Sequence, residues 1–194
     1  MKIALASSKG GAGKTSLSAV LTLAFVEAGK TVRVEDHDPQ QGLMGWLQFL
    51  KDKQGFPLKK NGTGFVAGEG EPSFTLADFP PADPATLKKM TEGFDRIVIP
   101  TQPSSVDVES SVAFVALFAD RARLKVVWNC LDGSSLSRPE ALAVWGERLC
   151  CPIAKTTIPR RIGFKNAQLV GFRGLDEASK TAVFSLALEL TSDG

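Results

Sequence analysis

The residues with the clearest chemical potential stand near the start of the chain, in Ser7-Ser8-Lys9-Gly10-Gly11-Ala12-Gly13-Lys14-Thr15-Ser16. Backbone N–H groups of such a glycine-rich turn can converge on phosphate oxygens, and a helix starting there points its positive end at the same charge. Gly10, Gly11 and Gly13 permit the close approach, Lys14 can reach the β- and γ-phosphates, and the Thr15 hydroxyl can hold Mg²⁺. The strict G-x-x-x-x-G-K-[ST] pattern is not met, because Ser8 occupies its first glycine position and a second lysine, Lys9, opens the loop. Further along, Asp36 and Asp38 alternate in an extended segment, which turns both carboxylates to one side. A loop cap is the competing role for Asp36. His37 lies between them and should point the other way; with no second histidine in the chain, a transition-metal site is not expected.

These residues need elements to position them. The apolar run Ile3 to Ala6 reads as a strand, and Leu17, Val20, Leu21, Ala24 and Phe25 recur at helical spacing up to a stop at Gly29. Thr31 to Glu35 reads as the next strand, giving strand, glycine loop, helix, strand. Further strands are expected at Phe74 to Ala77, Arg96 to Ile99 and Leu124 to Trp128, with another possible at Cys151 to Ala154. Helices are expected at Leu43 to Leu50, Pro84 to Met90, Val106 to Ala119, Arg138 to Leu149, Ile162 to Leu169 and Glu177 to Leu190. Residues 54–72, with five glycines and little periodicity, read as loop. The alternation predicts an α/β, doubly wound, mostly parallel sheet with helices on both faces. Ligands of such sheets sit at the carboxyl ends of the strands, where Lys14, Asp36, Asp38, Asp78 and Asn129 all fall.

The loop, with its extra Lys9, resembles the deviant Walker A motif of the ParA/MinD family of ATPases. Asp36-His37-Asp38-Pro39-Gln40 is similar to that family's D-x-D-P-Q segment, and Asp78-Phe79-Pro80-Pro81 to its Walker B and switch segment. Pro100-Thr101-Gln102-Pro103-Ser104 resembles the P-x-Q-P-S stretch of ParA proteins, and the resemblance spans roughly residues 2–175. It implies ATP and Mg²⁺ as cofactors, with residues Lys9 to Ser16 cradling the phosphates. It implies that Lys9 reaches the partner subunit's phosphates in an ATP-dependent homodimer. By the same resemblance Asp38 orients water, Asp36 supports Mg²⁺ or the switch, and Asp78 holds the metal, usually through water. Asn129 would contact adenine, and Pro159, in Ile158-Pro159-Arg160, would lie in the loop flanking the base.

The activity so implied is slow, Mg²⁺-dependent ATP hydrolysis stimulated by a ParB-like partner protein, with nonspecific DNA bound by the dimer for plasmid or chromosome partitioning. A related positioning or conjugation-associated ATPase, and a metabolic amidoligase on the same fold, are the alternatives. The pattern also departs from the family's. The Ser73 to Ala77 strand is less aliphatic than usual, and the segment between Gln54 and Ser73 is short and glycine-rich. No helix-turn-helix precedes the loop, so the expectation is the small ParA type without an operator-binding domain.

Composition fits this reading. A chain of 194 residues, 43% hydrophobic and 23% charged, is expected to fold as a single domain over residues 1–194, which by the resemblance is a P-loop ATPase domain. No apolar run approaches the roughly 18–20 residues of a membrane span, and the N-terminus does not read as a signal peptide. Cys130, Cys150 and Cys151 fit neither a disulfide framework nor a metal-ligand spacing, which points to a cytoplasmic protein; the resemblance implies that it is nucleoid-associated when ATP-bound. The last helix carries only Lys180, too few cations for an amphipathic membrane anchor, so no membrane partner is expected. Most phenylalanines, among them Phe25, Phe114, Phe118 and Phe184, lie in apolar helical patterns and read as core. The net charge of +2 hides six basic residues and no acidic one between Glu147 and Asp176. A solvated face is one reading of that run; a DNA-facing patch of Arg160, Arg161, Lys165 and Arg173 is the other.

Overall fold

The computed structural model describes residues 1–134 and 137–192. Seven strands form one sheet: β1 (Lys2–Leu5), β2 (Val32–Asp36), β3 (Leu58–Asn61), β4 (Gly64–Ala67), β5 (Phe74–Asp78), β6 (Arg96–Thr101) and β7 (Leu124–Trp128). Their order is β3-β4-β2-β5-β1-β6-β7. The five strands from β2 to β7 run parallel, as the alternating pattern predicts. β1 is central and pairs with both β5 and β6, so the crossovers leave it in opposite directions. That reversal opens a crevice above the carboxyl end of β1, where the glycine loop begins.

Helices α1 (Lys14–Glu27), α2 (Gly42–Gln54), α6 (Ile162–Val170) and α7 (Glu177–Thr191) cover one face of the sheet. α3 (Pro84–Met90), α4 (Ser105–Val115) and α5 (Pro139–Leu149) cover the other. α1 is buried at every position from Leu17 to Phe25, wedged between the sheet and α2 and α7. Each large apolar side chain removed from water there contributes about 1.5–3 kcal/mol, which holds the loop in front of it in a fixed place. Local chemistry sets the other helix starts. Asp83 caps α3 by accepting from Thr86 N at 3.0 Å, and Asp176 caps α7 through Ser179 N at 2.9 Å.

Three expectations are corrected. Residues 54–72 are not all loop, because β3 and β4 form a hairpin whose second strand runs antiparallel to β2. The turn is the two residues Gly62-Thr63, with Gly62 at φ +61°, a backbone that favours glycine. β3 escapes a hydrophobic-pattern reading because it is an edge strand with Leu58 buried and Lys59, Lys60 and Asn61 exposed. Cys151 to Ala154 does not extend the sheet as a strand; it makes a single parallel bridge, Val126 to Ile153. α4 ends at Val115 rather than Ala119. No described helix is long and apolar enough to cross a membrane.

Candidate functional site

The loop between β1 and α1 ends at Gly13, which has φ +87° and caps α1 with no side-chain bond. A Cβ at this position would sit 2.4 Å from Asn129 Nδ2, so only glycine fits. Asn129, buried just past β7, donates from Nδ2 to Ala12 O at 2.7 Å and fastens the loop to the far side of the sheet. Gln102, after β6, donates to Gly11 O at 3.2 Å. The loop is thus held from one side of β1, by the segments that follow β6 and β7.

Lys14 is buried, and its ammonium donates to Ser7 O at 3.2 Å and Lys9 O at 3.1 Å. Burial pulls its pKa down, opposed by the nearby charges of Asp78 and Asp38. Thr15 donates from Oγ1 to Asp78 Oδ2 at 2.7 Å, and Ser18, one turn on, from Oγ to Asp78 Oδ1 at 3.1 Å. Burial pushes the Asp78 carboxyl up to about 6; the neighbouring Asp36 adds to this, while the two hydroxyl bonds and Lys14 oppose it.

The paired aspartates do different work. Both Asp36 oxygens accept backbone amides, Oδ1 from Asp38 N at 3.1 Å and Oδ2 from Met44 N at 3.0 Å. This is the loop-cap role, and it ties the start of α2 to the end of β2. Asp38 instead lines a cavity of about 430 Å³ whose walls include Gly10, Gly11, Lys14, Thr15 and Pro81. Its Oδ1 accepts from Gln40 N at 2.9 Å. His37 points away, stacking on Phe79 with ring centroids 4.6 Å apart and its Nε2 3.3 Å from Glu35 Oε2.

Lys9 is turned onto a residue that the sequence reading passed over. Its Nζ lies 2.5 Å from Oδ2 of Asp107, a buried carboxylate in the first turn of α4 that also accepts from Ser104 Oγ. The signal was available: Ser104-x-x-Asp107 is a capping-box spacing, and Ser104 does accept from Asp107 N at 3.2 Å. Ser18 was legible too, four residues after Lys14 on the same helix face.

A second cavity, about 160 Å³, shares Gly13 and Ser16 with the first and is walled by Leu17, Asn129, Ile158, Pro159 and Phe164. Its apolar walls beside the phosphate loop suit a purine base. Arg160, Arg161 and Lys165 line this same cavity. Arg173 does not join them: its guanidinium bonds Gln54 Oε1 and Val170 O, and it borders a different cavity. The four basic residues therefore do not form one patch. That other cavity, about 660 Å³, is the larger, but it opens at the far end of α1 with none of the loop chemistry, so the two smaller ones define the site.

The donor set fits ATP with Mg²⁺. The Ser8 hydroxyl is buried with no hydrogen-bond partner at the loop, and Thr15 with Asp78 offers the hard oxygens that Mg²⁺ takes.

A sequence profile of the CobQ/CobB/MinD/ParA nucleotide-binding domain matches residues 3–138. The maintenance of carboxysome distribution protein A of Halothiobacillus neapolitanus is 27% identical over 183 residues, covering 87% of this chain and 84% of that protein. In fold, the chain is similar to the MinD of a MinC:MinD cell division complex from Aquifex aeolicus, with a TM-score of 0.74, 21% identity and coverage of 100% and 96%. It is also similar to an ATP complex of a Cyanothece McdA variant, with a TM-score of 0.67, 18% identity and coverage of 100% and 98%.

Proposed function

The chain belongs to the CobQ/CobB/MinD/ParA nucleotide-binding family, and from that premise we propose that it is an ATP-operated switch that positions a cargo. It is an ATPase of the ParA/MinD type, with ATP and Mg²⁺ as its cofactors. We take residues 1–194 as a single ATPase domain.

In this reading the loop amides and Lys14 hold the β- and γ-phosphates, with Lys14 exchanging its bonds to Ser7 O and Lys9 O for phosphate oxygens. Thr15 and Asp78 hold Mg²⁺, which supplies charge neutralisation at the phosphates. Asp38, with one oxygen fixed by Gln40 N, orients the attacking water from the cavity wall. The purine sits against Asn129 and Pro159.

The observation that carries the switch is Lys9 on Asp107. Lys14 alone serves the chain's own phosphate cavity, while Lys9 is 39% exposed and held at the edge by a carboxylate on another helix. A cation so placed is free to be exchanged onto the phosphates of a second copy, which makes dimerisation conditional on ATP. A partner protein would then stimulate hydrolysis and release. For the cargo, the relative named for carboxysome distribution favours positioning of a large body.

A second reading, DNA segregation by a nucleoid-bound dimer, is supported by the carboxylate-free run from 148 to 175 that holds Arg160, Arg161 and Lys165. Nucleotide-dependent binding to duplex DNA tests it. With DNA as the track, an Arg161→Ala, Lys165→Ala double variant should lower the log–log salt slope by about 0.9 for each lost phosphate contact. An unchanged slope and affinity in a variant that still dimerises would make these residues a base-cavity rim only.

A further inference from the structure

Between α2 and α6 the outer surface carries apolar side chains that the described residues leave exposed. Phe49 of α2 is 39% exposed, and Ile162 and Leu169 of α6 are 68% and 58% exposed. Phe49, Leu169 and the ring of Trp46 border a groove of about 460 Å³ whose inner end reaches Thr15 and Ser16 of the phosphate loop. Ile162 and Leu169 are seven residues apart on one face of α6, about 10 Å along its axis, with Lys165 between them. The groove is preformed: Trp46 Nε1 donates to Ala167 O at 3.2 Å and Gln54 Nε2 to Leu169 O at 3.2 Å, locking the two helices together.

We propose that this groove is the docking site for an amphipathic helix of a partner protein, with an apolar stripe flanked by acidic residues. The spacing argues for a helix, because anchors two turns apart on α6 match an i, i+3/i+4, i+7 stripe laid alongside. The charge argues for an acidic one. Lys165, and Lys53 one turn beyond Phe49, make no ion pair among the described residues, and α6 itself has no carboxylate. The one acidic residue of α2, Asp52, is engaged by Gln48 at 2.9 Å. Exposed Phe, Ile and Leu gain nothing from a phosphodiester backbone, which favours a protein over nucleic acid as the occupant.

The site is wired to the nucleotide. A Cβ on Gly42, the first residue of α2, would lie 3.3 Å from the Thr15 methyl, so α2 starts against the loop. Two residues on, Met44 N donates to Asp36 Oδ2. A helix seated on Phe49 therefore bears on the element that connects Thr15, Asp36 and Asp38. This deepens the switch reading and rests on it for the link to hydrolysis, while docking itself rests on the groove alone.

The test uses a fluorescein-labelled synthetic helix of about four turns, with Leu at i, i+3, i+4 and i+7 and Glu on its flanks. Anisotropy is measured against the full chain, in parallel with binding of a fluorescent ATP analogue. Saturable binding is expected. A Phe49→Ser, Leu169→Ser double variant should weaken it by about tenfold or more, and Lys53→Glu should weaken it as well. Both replaced apolar residues are exposed, so unfolding midpoints and binding of the ATP analogue should match wild type.

A shuffled peptide of the same composition binding equally well, or undiminished affinity in the double variant, would overturn the proposal. So would loss of ATP-dependent dimer or of duplex DNA affinity in the double variant, which would make a second copy or DNA the occupant. Failure of the wild type to bind the ATP analogue would strike the switch reading instead and leave the docking result standing.

Discussion

Gly13→Ala is the substitution whose cost follows most directly from the geometry. At φ +87° an L-residue is strained by about 1–2 kcal/mol. The new Cβ would also meet Asn129 Nδ2 at 2.4 Å, displacing a buried amide from its 2.7 Å bond to Ala12 O. Leaving those buried groups unpaired costs about 1–3 kcal/mol more. The total, about 2–5 kcal/mol, is a large share of the 5–15 kcal/mol that typically holds a domain together. Gly11→Ala separates the two causes, since Gly11 has φ +77° but nothing within 4 Å of the added Cβ. It should lose only the strain, about 1–2 kcal/mol. Urea unfolding of the nucleotide-free protein, read by tryptophan fluorescence, measures both. Equal destabilisation by the two substitutions, or a loss under about 1 kcal/mol for Gly13→Ala, would refute the role given to Asn129 as the clamp on the loop.

Further outcomes are expected. With the Asp78 carboxyl at about 6, Mg²⁺ must displace a proton in mildly acidic solution, so Mg²⁺-dependent nucleotide affinity should fall about tenfold between pH 7 and pH 5. The sign for stability is opposite: the raised pKa means the nucleotide-free protein holds this proton more tightly when folded, a contribution full below the ordinary carboxylate pKa and lost as pH rises through about 6. Asp78→Asn supplies the baseline for the nucleotide's own titration, and an equal pH dependence in both proteins would count against the assignment. Asp107→Asn should release Lys9 and allow ATP-dependent dimer at lower protein concentration, whereas Lys9→Ala should bind nucleotide but stay monomeric; light scattering across a dilution series distinguishes them.

Much of this was legible in the residues because short, strongly constrained segments carry their own context. Apolar β1, three loop glycines and a helical period after Lys14 leave few alternatives to a phosphate loop. Asp78 and Asn129 could be placed because one ends a buried strand and the other directly follows one. What the sequence could not supply depended on pairing across the chain. β3 has one buried residue in four and exists as a strand because β4 and β2 are beside it. Asp107 becomes a partner for Lys9 only when β6 brings α4 to the loop, a contact between residues 98 positions apart. Arg173 looked like a neighbour of Lys165 by spacing, but Gly171 turns the chain and sends its side chain to Gln54. Asp36 and Asp38 share a sequence pattern yet part company, because the amides of Asp38 and Met44 claim both oxygens of Asp36.

The central claim, a switch closed by ATP between two copies, is tested most directly by sedimentation velocity of the wild type, Asp38→Ala and Lys9→Ala proteins, each with Mg²⁺ and either ADP or ATP. Asp38 lines the phosphate cavity with its Oδ1 bonded to Gln40 N, so its removal should spare binding and stall the attacking water. The account predicts monomers with ADP throughout, an accumulated dimer for Asp38→Ala with ATP, and a monomer for Lys9→Ala with ATP. A monomer with ATP for both the wild type and Asp38→Ala, while each binds the nucleotide, would contradict it.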